Sequence, residues 1–105
     1  MEGRIVIVVY RPLKGKETAL EKVVSRHLDV LRQEGLVTSR EPIVMKASNG
    51  CVIEVFEWIS AQAIEKAHQN PGVQALWAEF SEVCEYEKPV NVGEFHNLFS
   101  EFTPV

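Results

Sequence analysis

The sequence predicts an α+β fold in the order strand, helix, strand, strand, helix pair, strand. Three observations carry that reading: an Ile- and Val-rich run near the start, a helical apolar period across Thr18–Glu34, and an Asn-Gly turn between two strand-like stretches. The 105 residues suffice for one domain, 1–105, because a chain of this size buries roughly two-thirds of its unfolded surface. Contents of 46% hydrophobic and 25% charged residues belong to a globular chain, not a disordered one.

Arg4–Arg11 reads as the first strand. Its alternating sets, Ile5, Ile7, Val9 and Val6, Val8, Tyr10, are both apolar, so both faces are expected to be covered. Pro12-Leu13-Lys14-Gly15 ends it. In the helix Thr18–Glu34, Leu20, Val23, Val24, His27, Leu28 and Leu31 form one apolar face, with Glu21, Lys22, Arg26, Asp29 and Arg32 opposite. Gly35 suits the position after a helix that needs positive φ, with Leu36 as its hydrophobic closure. Pro42–Ala47 and Cys51–Trp58 flank Ser48-Asn49-Gly50, where Asn-Gly predicts a type I′ turn because both residues tolerate positive φ. Ser60 is an N-cap for a short helix, Ala61–Gln69, which Asn70-Pro71-Gly72 interrupts. A second helix runs to about Glu85 on an apolar face of Val73, Leu76, Trp77, Phe80, Val83 and Cys84. Pro89–His96 supplies the last strand, and the tail from about residue 97, with Phe99, Phe102 and Val105, is apolar enough to dock on its own domain or on a neighbour.

This order is the split β-α-β-β-α-β pattern of a ferredoxin-like domain, whose helices cover one face of the sheet. The second face of the first strand is also apolar, and the Cys51–Trp58 strand adds apolar residues on both parities. A homodimer joined sheet to sheet is therefore expected.

The formal net charge of −4 argues against a nucleic-acid partner. The longest purely apolar run, Ile5–Tyr10, is too short to cross a membrane, and no signal-peptide pattern precedes it. Cys51 and Cys84 form no CxxC motif, so a reducing, cytoplasmic setting is the simplest expectation. There is no Gly-rich phosphate loop, nucleophile elbow or HExxH motif, and no cofactor is expected.

Two histidines are the candidates for chemistry. His27 lies near the centre of the first helix's apolar face and points at the sheet; it is either a general base or a neutral core histidine bonded to a backbone carbonyl. His68 stands just before the Asn-Pro break, where it either lines a pocket or ties down a loose carbonyl at the helix end. With His96 on the last strand they lack the tight spacing of a metal set, and no metal is expected. Tyr10, Trp58, Trp77 and Phe80 are candidate pocket walls, suited to a small apolar or aromatic ligand. Glu54 shares its strand face with Val52 and Phe56; buried there, it is expected to meet an Arg, Lys or His, with Arg11 and Arg4 as candidates.

Tyr10-Arg11-Pro12-Leu13-Lys14-Gly15-Lys16-Glu17 before a helix resembles the strand–Gly–helix segment of dimeric α+β barrel proteins. Phe56-Glu57-Trp58-Ile59-Ser60, followed by Ala67-His68-Gln69-Asn70-Pro71, resembles the antibiotic-biosynthesis-monooxygenase branch of that superfamily. The resemblance spans roughly Arg4 to Glu85 and implies a dimeric α+β barrel. It also implies a cofactor-independent monooxygenase acting on a quinol-like or polycyclic aromatic substrate, with His27 or His68 deprotonating the substrate so that its carbanion reduces dioxygen directly. A non-catalytic dimeric binding or stress-response module is the competing class. Where haem-degrading members carry an Asn, a Trp and a ligand His, this chain has Val8, Ala67 and Trp77, which disfavours haem cleavage of that type.

Overall fold

A computed structural model describes residues 3–105. It is an α+β fold with three helices and a five-stranded antiparallel sheet: β1 (Arg4–Pro12), α1 (Glu17–Gln33), β2 (Ile43–Lys46), β3 (Val52–Trp58), α2 (Ala61–Ala67), α3 (Pro71–Val83), β4 (Cys84–Glu87) and β5 (Thr103–Pro104). The strands lie in the order β4-β1-β3-β2-β5, compatible with a ferredoxin-like arrangement extended by one short edge strand. β1 pairs with β3 along its length, Arg4 opposite Trp58 through Tyr10 opposite Val52.

Local chemistry explains the ends of the helices. Gly35 adopts φ +71°; its N–H donates to Arg32 O at 2.9 Å, and the Leu36 N–H reaches Leu31 O at 3.0 Å. These two bonds make the Schellman closure of α1. Ser60 Oγ accepts from the Ala63 N–H at 3.1 Å to cap α2, and Asn70 Oδ1 accepts from the Val73 N–H at 3.1 Å to cap α3, with Pro71 in its first turn.

Three expectations need correction. Pro89–His96 is not a strand: Pro89–Asn91 and Gly93–His96 are single 3₁₀ turns, and the edge strand is Cys84–Glu87. α3 accordingly stops at Val83, and Cys84 begins β4, its backbone extended at φ −154°. The β2–β3 turn is not type I′, since Gly50 alone takes positive φ, at 93°. Gly50 N–H donates to Ala47 O at 3.0 Å, and Asn49 Oδ1 accepts from the Cys51 N–H at 2.9 Å. Asn49 thus serves the turn through its side chain, in a three-residue loop closed by a left-handed glycine.

The core has two sides. Between sheet and helices, Tyr10, Val52, Phe56 and Trp58 pack with Leu20, Val24, Leu28, Leu31, Val73, Leu76 and Phe80. On the opposite face, Val9 and Ile53 are covered by the chain's own C-terminal segment through Val92, Phe95 and Phe102. That cover is partial. Ile5, Ile7 and Ile43 remain 59%, 51% and 59% exposed, so the single chain does not bury both faces of β1. The tail docks in part: Phe102 packs beneath the sheet and Thr103–Pro104 pairs with β2, whereas Leu98, Phe99 and Val105 are exposed.

Candidate functional site

The sheet and α1 bring three polar side chains together inside the core. Val8 lies opposite Glu54 in the β1–β3 register, so Tyr10, two residues along β1, is Glu54's diagonal neighbour on the same face. His27 descends onto that face from the middle of α1. The Tyr10 hydroxyl donates to Glu54 Oε1 at 2.7 Å, and His27 Nδ1 lies 2.7 Å from the same oxygen. Glu54 is 1% exposed and His27 4%. A buried carboxylate is costly unless hydrogen-bonded, and these two donors answer that cost on one oxygen only. Among the described residues, Glu54 Oε2 is the one buried side-chain nitrogen or oxygen without a hydrogen-bond partner.

Arg11, an expected partner for Glu54, instead pairs with Glu85 and, at 3.4 Å, with Glu87 on β4. The reason is geometric: β1 residues alternate, so Arg11 lies on the face opposite Tyr10. His27 is not tied to a backbone carbonyl either; its Nδ1 partner is the carboxylate. Burial, and next the Glu54 carboxylate, push the Tyr10 phenol far above its ordinary range. Tyr10 therefore keeps its proton and acts as a donor.

This cluster borders a cavity of about 380 Å³ lined by Val6, Val8, Tyr10, His27, Phe56, Trp58, Ile64, His68, Trp77 and Tyr86. The size falls within the usual range for small-molecule sites, ~300–1,000 Å³. No lysine or arginine is among the lining residues. The lining therefore offers no fixed positive charge to a phosphate or carboxylate. His68 and Tyr86, the exposed members of the lining, stand where the cavity meets solvent.

Of the residues singled out in the sequence, Tyr10, His27, Trp58, His68 and Trp77 line this one cavity. Phe80 lies a layer behind it, stacked on Tyr10 with ring centres 4.8 Å apart and edge-on to His27 at 5.1 Å. His68 combines both roles considered for it. It lines the cavity edge-on to Trp77 at 5.0 Å, and its Nδ1 is 2.8 Å from the Ile64 carbonyl at the end of α2. A carbonyl can only accept, so Nδ1 carries the proton and, in the neutral ring, Nε2 is left as an acceptor.

A histidine partner for Glu54 was expected by residue type, but not that it is His27; the Tyr10 link and the lining residues Val6, Val8, Phe56, Ile64 and Tyr86 were not foreseen. A signal existed for Tyr86: it shares parity with Cys84 and sits opposite Tyr10, but it becomes legible only once Cys84–Glu87 is recognised as a strand. The cysteines stay outside the site's chemistry. Burial raises both thiols, Cys84 to about 11, and Cys84 Sγ donates to Phe80 O at 3.2 Å. Among the described residues no three His, Cys, Asp or Glu side chains gather as a metal set, and no helix is long and apolar enough to cross a membrane. Comparison of the chain with protein-family models and with curated proteins finds no match.

Proposed function

We propose that this chain binds a flat, uncharged aromatic molecule in the cavity and acts as a cofactor-independent monooxygenase of quinol-like or polycyclic aromatics. The observation that carries the reading is the hydrogen-bonded chain Tyr10–Glu54–His27, whose Tyr10 and His27 line a mainly apolar and aromatic cavity. A histidine takes a proton from an activated methylene of the substrate. The carbanion then gives up electrons to dioxygen, one oxygen atom replaces both methylene hydrogens as a carbonyl, and the other leaves as water. The protein's part is to bind the ring system, hold the base and exclude bulk water. In this reading two copies join sheet to sheet as a dimeric α+β barrel, a pairing supported by the exposed row of Ile5, Ile7 and Ile43.

The test uses 9-anthrone, a neutral tricyclic ketone with one acidic methylene. Trp58 and Trp77 line the cavity, so binding is read as a saturable change in tryptophan emission. Turnover is read as one dioxygen consumed per anthraquinone formed, above the uncatalysed background. Absence of saturable binding rejects the cavity as an aromatic site. Binding without oxygen uptake rejects the oxygenase and leaves the non-catalytic dimeric binding or stress-response module. One observation favours that second class: His27 is held edge-on to Phe56 at 5.2 Å and to Phe80 at 5.1 Å, a packing role that needs no chemistry.

A further inference from the structure

We propose that His27 rather than His68 is the base of this cavity, and that Glu54 and Tyr10 are its positioning residues. The inference rests on the aromatic-binding reading above and goes beyond it by choosing between the two histidines and giving a role to two residues outside the reacting pair. His27 is the one with a carboxylate partner. With Nδ1 committed to Glu54 Oε1 at 2.7 Å, Nε2 is its only ring nitrogen left for a ligand. Glu54 compensates the positive charge that His27 gains on taking a proton, as the third group of an acid–base triad does. Tyr10, bonded to the same oxygen at 2.7 Å, fixes the carboxylate so that it cannot turn away from the imidazole. Its phenol stays protonated and so remains a donor throughout.

His68 has none of this. Its Nδ1 partner is a neutral backbone carbonyl, and it is exposed, so water competes for its free nitrogen. The Phe56 and Phe80 rings pack edge-on to His27, and its charged neighbour on α1, Arg26, reaches outward to Glu79 at 2.6 Å. Glu54 is the charged group paired with the His27 ring. The proton-transfer step balances by itself: the methylene C–H bond breaks, its proton binds His27 Nε2, and the electron pair stays on the substrate as an enolate. In deuterated water the return step delivers deuterium.

The experiment separates proton transfer from oxygen chemistry. Under anaerobic conditions, the enzyme is mixed with 9-anthrone in deuterated water and loss of the methylene proton signal is followed by NMR. H27Q is expected to reduce exchange to the background. E54Q and Y10F are expected to slow the saturated rate tenfold or more while shifting the anthrone Kd, from tryptophan emission, less than twofold. H96Q, whose ring bonds the Val90 carbonyl away from the cavity, serves as the unchanged control. Independently, ¹⁵N NMR of the ligand-free protein should show His27 protonated at Nδ1, with that preference weakened in E54Q; folding of each variant is checked from the amide spectrum.

Exchange that survives H27Q but is lost in H68Q overturns the assignment, as does a rate unaffected by E54Q and Y10F. Anthrone that binds without exchange in the wild type overturns the base while leaving the binding reading intact. Should anthrone not bind, the binding reading fails, and the dyad is judged on the ring tautomer alone: a proton on His27 Nε2 instead of Nδ1 overturns it.

Discussion

Tyr10 holds its proton because ionising it places a second negative charge beside Glu54 in the core, after the larger cost of desolvating a phenolate there. The consequence is a pH dependence of known sign. An unfolded tyrosine ionises near pH 10, whereas the folded Tyr10 stays neutral well beyond it. Its contribution to stability is complete below about pH 10 and is lost as pH rises further, because only the unfolded chain gains from ionisation. Urea unfolding followed between roughly pH 9 and 11 should therefore show a shallower decline in Y10F than in the wild type. At neutral pH the variant should be weaker by about 1–3 kcal/mol, since Glu54 Oε1 loses one of its two donors. Equal alkaline slopes contradict a neutral Tyr10 beside a buried carboxylate.

The element whose behaviour departs furthest from its sequence is the C-terminal segment. Val92, Phe95 and Phe102 pack on Val9 and Ile53, and Thr103–Pro104 adds an edge to β2. These contacts do for half of the second sheet face what a partner was expected to do for all of it. Burying a large apolar side chain stabilises by about 1.5–3 kcal/mol, and in a domain of this size each kcal/mol moves the melting temperature by roughly 4–8 °C. Deleting residues Asn97–Val105 removes Phe102 and β5. Thermal unfolding by circular dichroism should then fall by about 5 °C or more. A truncated chain that melts like the full one contradicts the docked arrangement, leaving Phe102 with no stabilising role.

At the scale of the whole molecule, the unfinished business is the other half of that face. Ile7 and Ile43 flank Val55 in register, with Ile5 beside them, and all three isoleucines are exposed. Contiguous exposed apolar residues of this kind mark interaction surfaces, and a stable pairing typically buries about 1,600 Å² in total. Light scattering at micromolar concentration is expected to give a dimer mass. Ile7→Lys, which sets a charge in the middle of the row, should return a folded monomer. A wild-type chain that stays monomeric and folded removes the barrel from the proposal while leaving the cavity unaffected.

What the sequence determined by itself was whatever depends on near neighbours. The apolar period of α1, the left-handed Gly35 that closes it, the cap at Ser60, the helix break at Asn70-Pro71-Gly72, and the approximate extents of β1 and β3 follow from residues within a turn or two of each other. It also offered Tyr10, His27, Trp58, His68, Trp77 and Phe80 as site candidates, because periodicity puts aromatic and imidazole groups on inward faces; it could not say that Phe80 stands behind the cavity while the other five line it. Only the tertiary structure decided the rest. Cys84–Glu87 lacks length and hydrophobicity of its own and is a strand because β1 offers a free edge from Val9 to Pro12. Glu54 meets Tyr10 across 44 residues and His27 across 27. Residue periodicity cannot report such a meeting: alternation says that Glu54 points inward, whereas its partner is chosen by register across the sheet and by where a helix comes to rest above it.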